Sequence, residues 1–496
     1  LNAAAIAHQS ERPFGLSGLA WLLAGGGAGL LLALLPFQAG LALLALAALG
    51  LTPLITPLAP LGALLVLAPL RTLVATEAPG QMPLDFGLLG FAAVVGSWLL
   101  LRLTRQRRLT PLPVSPVMLA LLPFVAAAAL STTTAFSMSA WLNEWLKWAQ
   151  MAVLIVICLD VVRERAWQWL VFAFVMAGAA NAVLGIYQYF GGSGALHLLI
   201  DNRFYRAFGS FGQPNPFGGF MGLMLPLALA AALGYGWRWW RSIGAPRRQP
   251  WALALAAFYL ACAGLLAAGV LMSWSRGAWL GAAASAVVLV FAAPRRWWAG
   301  ALLVALLAAG AGGMAALGLL PTSITDRVGS AFSETFSITD VRGVAITGEN
   351  YALVERLAHW QAAVNMATAH PWLGVGFGNY EAAYPDYRLI AWRFPLGHAH
   401  NYYLNVLAET GMIGVASFAG TWLLVLWLTW RARAHRDMQA HLMAAGLLGA
   451  WAYLAVHSLT DNLFVNNLFI HVGCMLGLLA VLYHQAWHKT RVPRPA

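Results

Sequence analysis

Apolar stretches of about 20 residues recur along almost the whole chain, and each is long enough to cross a bilayer's hydrocarbon core as a helix. No interval between them is large enough for an ordinary soluble domain. Composition points the same way, since 61% of the 496 residues are hydrophobic and 9% are charged, against about 25% charged in soluble domains. A soluble fold is excluded, and the chain reads as an all-α polytopic membrane protein. Its formal net charge of +12 does not imply a nucleic-acid partner, because Lys and Arg in such a chain report topology first. Cys158, Cys262 and Cys474 lie inside apolar stretches with no metal-binding or disulfide spacing. The polar start, Leu1 to Pro13, runs straight into a stretch of spanning length and is read as lacking a cleavable signal peptide.

Hydropathy places spans at 16–35, 38–56, 57–75, 86–103, 114–133, 144–162, 167–189, 215–236, 251–273, 277–293, 298–320, 404–430, 441–459 and 464–486. Pro53, Pro57 and Pro60 interrupt the second and third, and Arg276 makes a tight break between the ninth and tenth, so about 12–14 transmembrane helices are expected. Alternate loops carry Arg102, Arg105, Arg107 and Arg108; Arg163 and Arg165; Arg238, Arg241, Arg247 and Arg248; Arg295 and Arg296; and Arg431, Arg433 and Arg436. The tail adds Lys489, Arg491 and Arg494. All fall on one side of a fourteen-span chain, which the positive-inside rule makes cytoplasmic along with both termini.

One loop on the opposite, periplasmic or extracellular, side is far longer than the rest. It divides the chain into helices over 1–320, the loop over 321–400, and helices with a cytoplasmic tail over 401–496. Within it, Leu353, Leu357, Trp360, Ala363 and Val364 recur at helical spacing, which predicts an amphipathic helix over 351–369 that could lie on the membrane surface. Gly374, Gly376 and Gly378 then mark a turn-rich segment without the strand–turn–helix context of a nucleotide loop.

The informative residues are polar ones where topology disfavours them. Arg203, Arg206, Arg276 and Arg356 fall on the non-cytoplasmic side, against the positive-inside bias. A guanidinium is a permanently charged fork that binds phosphate oxygens in pairs, so two or three at one surface suit a lipid-linked diphosphate. Any one of them alone is equally well read as snorkelling to lipid headgroups. His398 and His400, followed by Asn401, close the long loop. A histidine suits a general base, and two at i, i+2 invite a metal, but no third ligand with suitable spacing stands nearby. Gln213 and Asn215 begin the eighth span, where a structural role is the default. Asp461, Asn462, Asn466 and Asn467 form a polar cluster that could line a cavity or cap a helix.

Taken together these residues resemble a known family. His400-Asn401, nine intervening residues and then Gly411-Met412-Ile413-Gly414 resemble the His-Asn-x9-Gly-x-x-Gly motif of the bacterial O-antigen ligase and polymerase superfamily. Arg356 with Trp360, the run from His370-Pro371 through Gly374-Val375-Gly376 to Asn379-Tyr380, and Ser275-Arg276-Gly277 are also similar to that superfamily. Arg206 with Gln213-Pro214-Asn215 is similar to a segment of bacterial O-oligosaccharyltransferases, which usually carry more sequence after the last spans.

The resemblance implies a GT-C-like glycosyltransferase of the bacterial inner membrane that moves a glycan from undecaprenyl diphosphate to an acceptor hydroxyl on the outer face, with inversion and without metal or cofactor. His400 is implied as the base. Arg206 and Arg276 are implied for the donor diphosphate, with Arg203 competing for the first place and Arg356 in a loop position often occupied by Arg. His398, Asn401, Gln213 and Asn215 would support them. The favoured reading is an O-antigen ligase acting on a lipid A-core. A polymerase extending O-antigen or exopolysaccharide, a protein O-oligosaccharyltransferase, and a polysaccharide transporter or flippase are the alternatives. A transporter should place its ionisable residues near mid-membrane in broken helices, whereas here they gather at one surface.

Overall fold

The computed structural model describes residues 58–70, 85–105, 111–192, 195–200, 202–246, 248–319, 340–347 and 350–487. The expected spans 16–35 and 38–56 and the basic tail lie outside these residues. The described residues are helical almost throughout. In order run α1 (Ala59–Leu67), α2 (Phe86–Arg105), α3 (Pro116–Leu130), α4 (Met138–Val161), α5 (Trp167–Tyr187), α6 (Pro214–Ser242), α7 (Pro250–Met272), α8 (Arg276–Ala292) and α9 (Trp297–Ala316). Then come α10 (Tyr351–Ala369), α11 (Tyr380–Tyr387), α12 (Tyr402–Ala432), α13 (Met438–His457) and α14 (Leu468–Trp487). The strands β1 (Leu199–Ile200) and β2 (Phe204–Tyr205) pair antiparallel in a small hairpin before α6.

Every span expected from residue 86 onward coincides with one helix, α2–α9 and α12–α14. Among the described residues, nine helices are long and apolar enough to cross a membrane. The chain is a multi-pass membrane protein. α4 carries Glu144, Lys147 and Asp160, and α8 has 17 residues, so both fall outside that nine although they stand in the same bundle. Local chemistry sets the helix starts. Ser115 caps α3 ahead of Pro116, and Asp437 caps α13 by accepting from the Gln439 amide at 3.0 Å. α6, α13 and α14 form the centre, with about four-fifths of their spans buried, whereas α9 is 6% buried and presents its apolar surface outward. Small residues let the central helices close together. A Cβ on Gly222 of α6 would lie 1.8 Å from the Tyr453 ring of α13.

The arginine clusters of alternate loops meet at one end of the bundle. Arg102 pairs with Asp160 at 3.1 Å, Arg165 with Asp437 at 3.7 Å, and Arg295 donates to the carbonyls of His435 and Arg436 at 3.1 Å.

The long loop is bound to the opposite end. α10 does not leave its apolar face to a membrane. Ala362, Ala363 and Met366 are buried with Val375, Tyr380, Tyr384 and Ala408, so the loop and α12 cover that face. α12 is broken at Gly411, which has φ +61° and ψ −163°. The backbone groups freed there are satisfied by the glycine-rich segment, since the Val375 amide donates to the Ala408 carbonyl at 2.9 Å and the Met412 amide to the Pro371 carbonyl at 2.8 Å. Gly374 makes the approach possible, because a Cβ there would lie 2.3 Å from the Glu409 carbonyl carbon. The loop is thereby latched to the helix that begins just after His400.

Candidate active site

His398, His400 and Asp461 meet at the end of the bundle opposite the arginines of the alternate loops. His400 takes a left-handed backbone conformation, φ +51°, at the last turn before α12. Its amide donates to His398 Nδ1 at 3.1 Å, which leaves His398 Nε2 directed at Asp461, 3.6 Å from Oδ1. His400 Nδ1 lies 3.5 Å from the same oxygen. With a proton on Nδ1 facing the carboxylate, His400 Nε2 carries the lone pair and can take a proton. Asn401 caps α12 by accepting from the Tyr403 and Leu404 amides at 3.0 and 3.1 Å, which fixes the turn holding His400.

Asp461 sits in the α13–α14 connection, 4% exposed, and also accepts from the Asn462 amide at 2.8 Å. Burial raises its pKa, but the hydrogen bond from His400 and the neighbouring charges of His398, His400 and His457 prevail and hold it well below the usual carboxylate range. His398 is driven the other way, down to about 4, by burial, with Asp461 opposing and His400 and Lys147 reinforcing the drop. His398, His400 and Asp461 place one ligand atom each within 4.8 Å of one another. The fold thus supplies the third potential metal ligand that local spacing does not reveal.

The arginines gather around this group. Arg206 follows β2, and its Nε donates to the Ser273 carbonyl at 3.1 Å while a terminal nitrogen donates to Asn215 Oδ1 at 3.3 Å. Ser273 caps the end of α7, in the tight turn that leads through Trp274, φ +53°, to Arg276. Arg206 and Arg276 are therefore held by one turn. Gly277 seats that turn on the Asp461 segment, because a Cβ at 277 would lie 2.0 Å from Thr460 Oγ1 and 3.2 Å from the His457 ring. Arg356 of α10 is close enough to Arg276 to repel it. Burial lowers the Arg356 pKa, and Asp461 and Glu355 oppose that drop. Arg203 is exposed, with its guanidinium 4.9 Å from the centre of the Phe204 ring. Gln213 is exposed just ahead of α6 and makes no side-chain capping bond.

Three further residues belong to this neighbourhood. Lys147 of α4 pairs with Glu144 and donates to the Phe464 carbonyl at 3.3 Å. His359 of α10 has its ring 6.1 Å from that of His400 and its Nδ1 3.0 Å from the Tyr380 hydroxyl. His457, at the end of α13, has Nδ1 3.0 Å from the Tyr453 hydroxyl, which donates to the Gly218 carbonyl at 2.7 Å. That donation commits the tyrosine hydrogen, so His457 Nδ1 carries the proton and Nε2 is a bare acceptor. Nε2 is buried with no hydrogen-bond partner among the described residues. Beside the group, an apolar groove of about 140 Å³ runs between α12 and α13 from Leu426 and Trp451 up to Ser458.

A base with a carboxylate behind it, ringed by permanent cations, can deprotonate a hydroxyl and stabilise an anionic leaving group. Residues 260–419 match the sequence family described as O-antigen ligase. No curated protein matches the chain.

Proposed function

We propose, from the match of residues 260–419 to the family described as O-antigen ligase, that this chain transfers a glycan from undecaprenyl diphosphate to an acceptor hydroxyl at the periplasmic face of the inner membrane. The observation that carries this reading is the His400–Asp461 pair, 3.5 Å apart, beside the cluster of Arg206, Arg276 and Arg356. The glycan–diphosphate bond is already activated, so the protein need only neutralise the leaving group and accept one proton. The acceptor hydroxyl loses its proton to His400 Nε2 as its oxygen bonds the anomeric carbon. The bond from that carbon to the phosphate oxygen breaks, and its electrons leave on the diphosphate. Arg206, Arg276 and Arg356 hold that charge, and Asp461 keeps the imidazole oriented and offsets its new positive charge. One displacement inverts the anomeric centre. The groove between α12 and α13 suits the polyprenyl chain. No step needs a metal, and His398 serves instead to hold Asp461 and the His400 turn.

The favoured acceptor is a lipid A-core, which makes the protein an O-antigen ligase. A polymerase has the same donor chemistry and differs in the acceptor. The test is purified protein with an undecaprenyl-diphosphate glycan, with and without a lipid A-core. Transfer to that lipid supports the ligase, and chain lengthening without it supports the polymerase. Glycan on a protein acceptor would indicate the oligosaccharyltransferase, and no donor turnover under any condition overturns the enzyme reading in favour of a transporter.

A further inference from the structure

At the end of the bundle away from the histidines, four connections line an open cavity of about 840 Å³. Five arginines line it, Arg165, Arg238, Arg241, Arg295 and Arg436, with one carboxylate, Asp437. That carboxylate is already engaged, 3.7 Å from Arg165 and capping α13 through the Gln439 amide. Neutral groups hold two of the cations in place. Arg238 donates to Gln249 at 2.8 Å and lies 4.6 Å from the Trp251 ring centre, and Arg295 donates to two backbone carbonyls. The positive-inside rule accounts for arginines in each connection. It does not account for their convergence from four connections on one concavity, where a bound anion would relieve their mutual repulsion.

The cavity's place at the membrane–water boundary sets the class of that anion. Trp237 lines the cavity and Trp251 lies against Arg238, both exposed, as aromatic residues are at that boundary. A basic cavity at the interface matches a lipid headgroup whose chains stay in the surrounding bilayer.

We propose that this cavity binds an anionic phospholipid, its phosphate groups held by Arg238, Arg241 and Arg436 and its chains in the surrounding bilayer. Guanidinium pairs recognise phosphate oxygens whatever carries them, so a soluble diphosphate shares the headgroup chemistry and lacks the chain. Two phosphates suit five positive charges against one negative better than a single phosphate does, which favours a diphosphatidylglycerol headgroup. The site lies about 40 Å from the histidines, the length of α6 at 1.5 Å per residue. It therefore stands independently of the chemistry proposed there.

Thermal unfolding of the purified full chain in neutral detergent tests this, with diphosphatidylglycerol, phosphatidylethanolamine and inorganic pyrophosphate titrated separately. Diphosphatidylglycerol should raise the melting midpoint by several degrees, and phosphatidylethanolamine should leave it unchanged. Combined Arg238→Gln and Arg241→Gln should weaken the diphosphatidylglycerol response at least tenfold in concentration. Arg296→Gln, an exposed arginine outside the cavity, should keep it. If the double variant fails to fold, Arg436→Gln alone provides the same comparison. An equal response to pyrophosphate would overturn the lipid assignment in favour of a soluble phosphate. An equal response to phosphatidylethanolamine, or an undiminished response in the cavity variants, would overturn the site.

Discussion

Replacing Asp461 by Asn removes one negative charge and little else. The asparagine oxygen can still accept from the Asn462 amide, now at 2.8 Å, so the connection keeps its turn. What disappears is the charge 3.5 Å from His400 Nδ1. Coulomb's law at that distance gives about 5 kcal/mol at an effective dielectric of 20 and about 1 kcal/mol in bulk water. Asp461 is only 4% exposed, so the effect lies toward the larger figure, and turnover should fall by roughly 10²- to 10³-fold. The attraction is needed only once the imidazole has taken the proton, so the loss belongs in kcat. Arg356 loses a carboxylate neighbour in the same variant and becomes more available to the diphosphate, so the donor KM should not rise. The assay is steady-state transfer over a range of donor concentrations, with folding checked by size exclusion and melting midpoint. A fall in kcat below about fivefold, or a defect carried by KM, would refute the role given to Asp461.

Other consequences follow from the same geometry. Gly411→Ala forces a Cβ into a backbone conformation that glycine alone adopts readily, at about 1–3 kcal/mol, and to within 2.4 Å of the Trp372 carbonyl carbon. Its melting midpoint should fall by several degrees, and an unchanged midpoint would mean that the latch between loop and α12 is unimportant. Burial, reinforced by His400 and His398, holds His359 at about 4 from an ordinary 6.5. The unfolded chain therefore binds more protons between those values, and stability present at neutral pH is lost as pH falls through that window, by up to about 1.4 kcal/mol per pH unit. Melting midpoints at pH 7 and pH 5 should show the drop, and His359→Phe should reduce it, with His398 carrying part of the remainder. Chelation by EDTA should leave transfer unchanged, whereas zinc should inhibit by occupying His398, His400 and Asp461. Activity lost to EDTA and restored by a divalent ion would give that triad a catalytic metal instead.

The bundle was legible in sequence because spanning is a local property. Twenty apolar residues announce a helix regardless of its neighbours, and the expected spans differ from the helices mainly at their ends. α4 begins at Met138, not 144, because Ser137 caps it and Lys147 pairs with Glu144, which makes a charged first half compatible with a helix. α6 continues past 236 to Ser242 because Arg238 and Arg241 reach the polar cavity at its end. In the site, His400, Arg206 and Arg276 were legible as polar residues that topology disfavours. Their partners were not. Asp461 reaches His400 across two intervening transmembrane helices, and His359 and Lys147 arrive from α10 and α4 (contacts that hydropathy does not encode). Arg203 and Arg206 are equivalent by spacing, and only the bond from Arg206 to the Ser273 carbonyl ties one of them to the Arg276 turn. The motif glycines conceal a packing role, since Gly374 and Gly411 let the loop backbone meet the broken helix.

The most direct test of the central claim separates donor binding from chemistry in one experiment. Purified wild type, His400→Ala and Arg276→Ala would each be loaded with an undecaprenyl-diphosphate glycan and followed through a single turnover with acceptor. A catalytic His400 beside a diphosphate-holding Arg276 predicts that His400→Ala binds the donor like wild type yet transfers at least 10²-fold more slowly. Arg276→Ala should bind the donor about tenfold or more less tightly. Transfer at the wild-type rate by His400→Ala, with donor binding intact, would contradict the account.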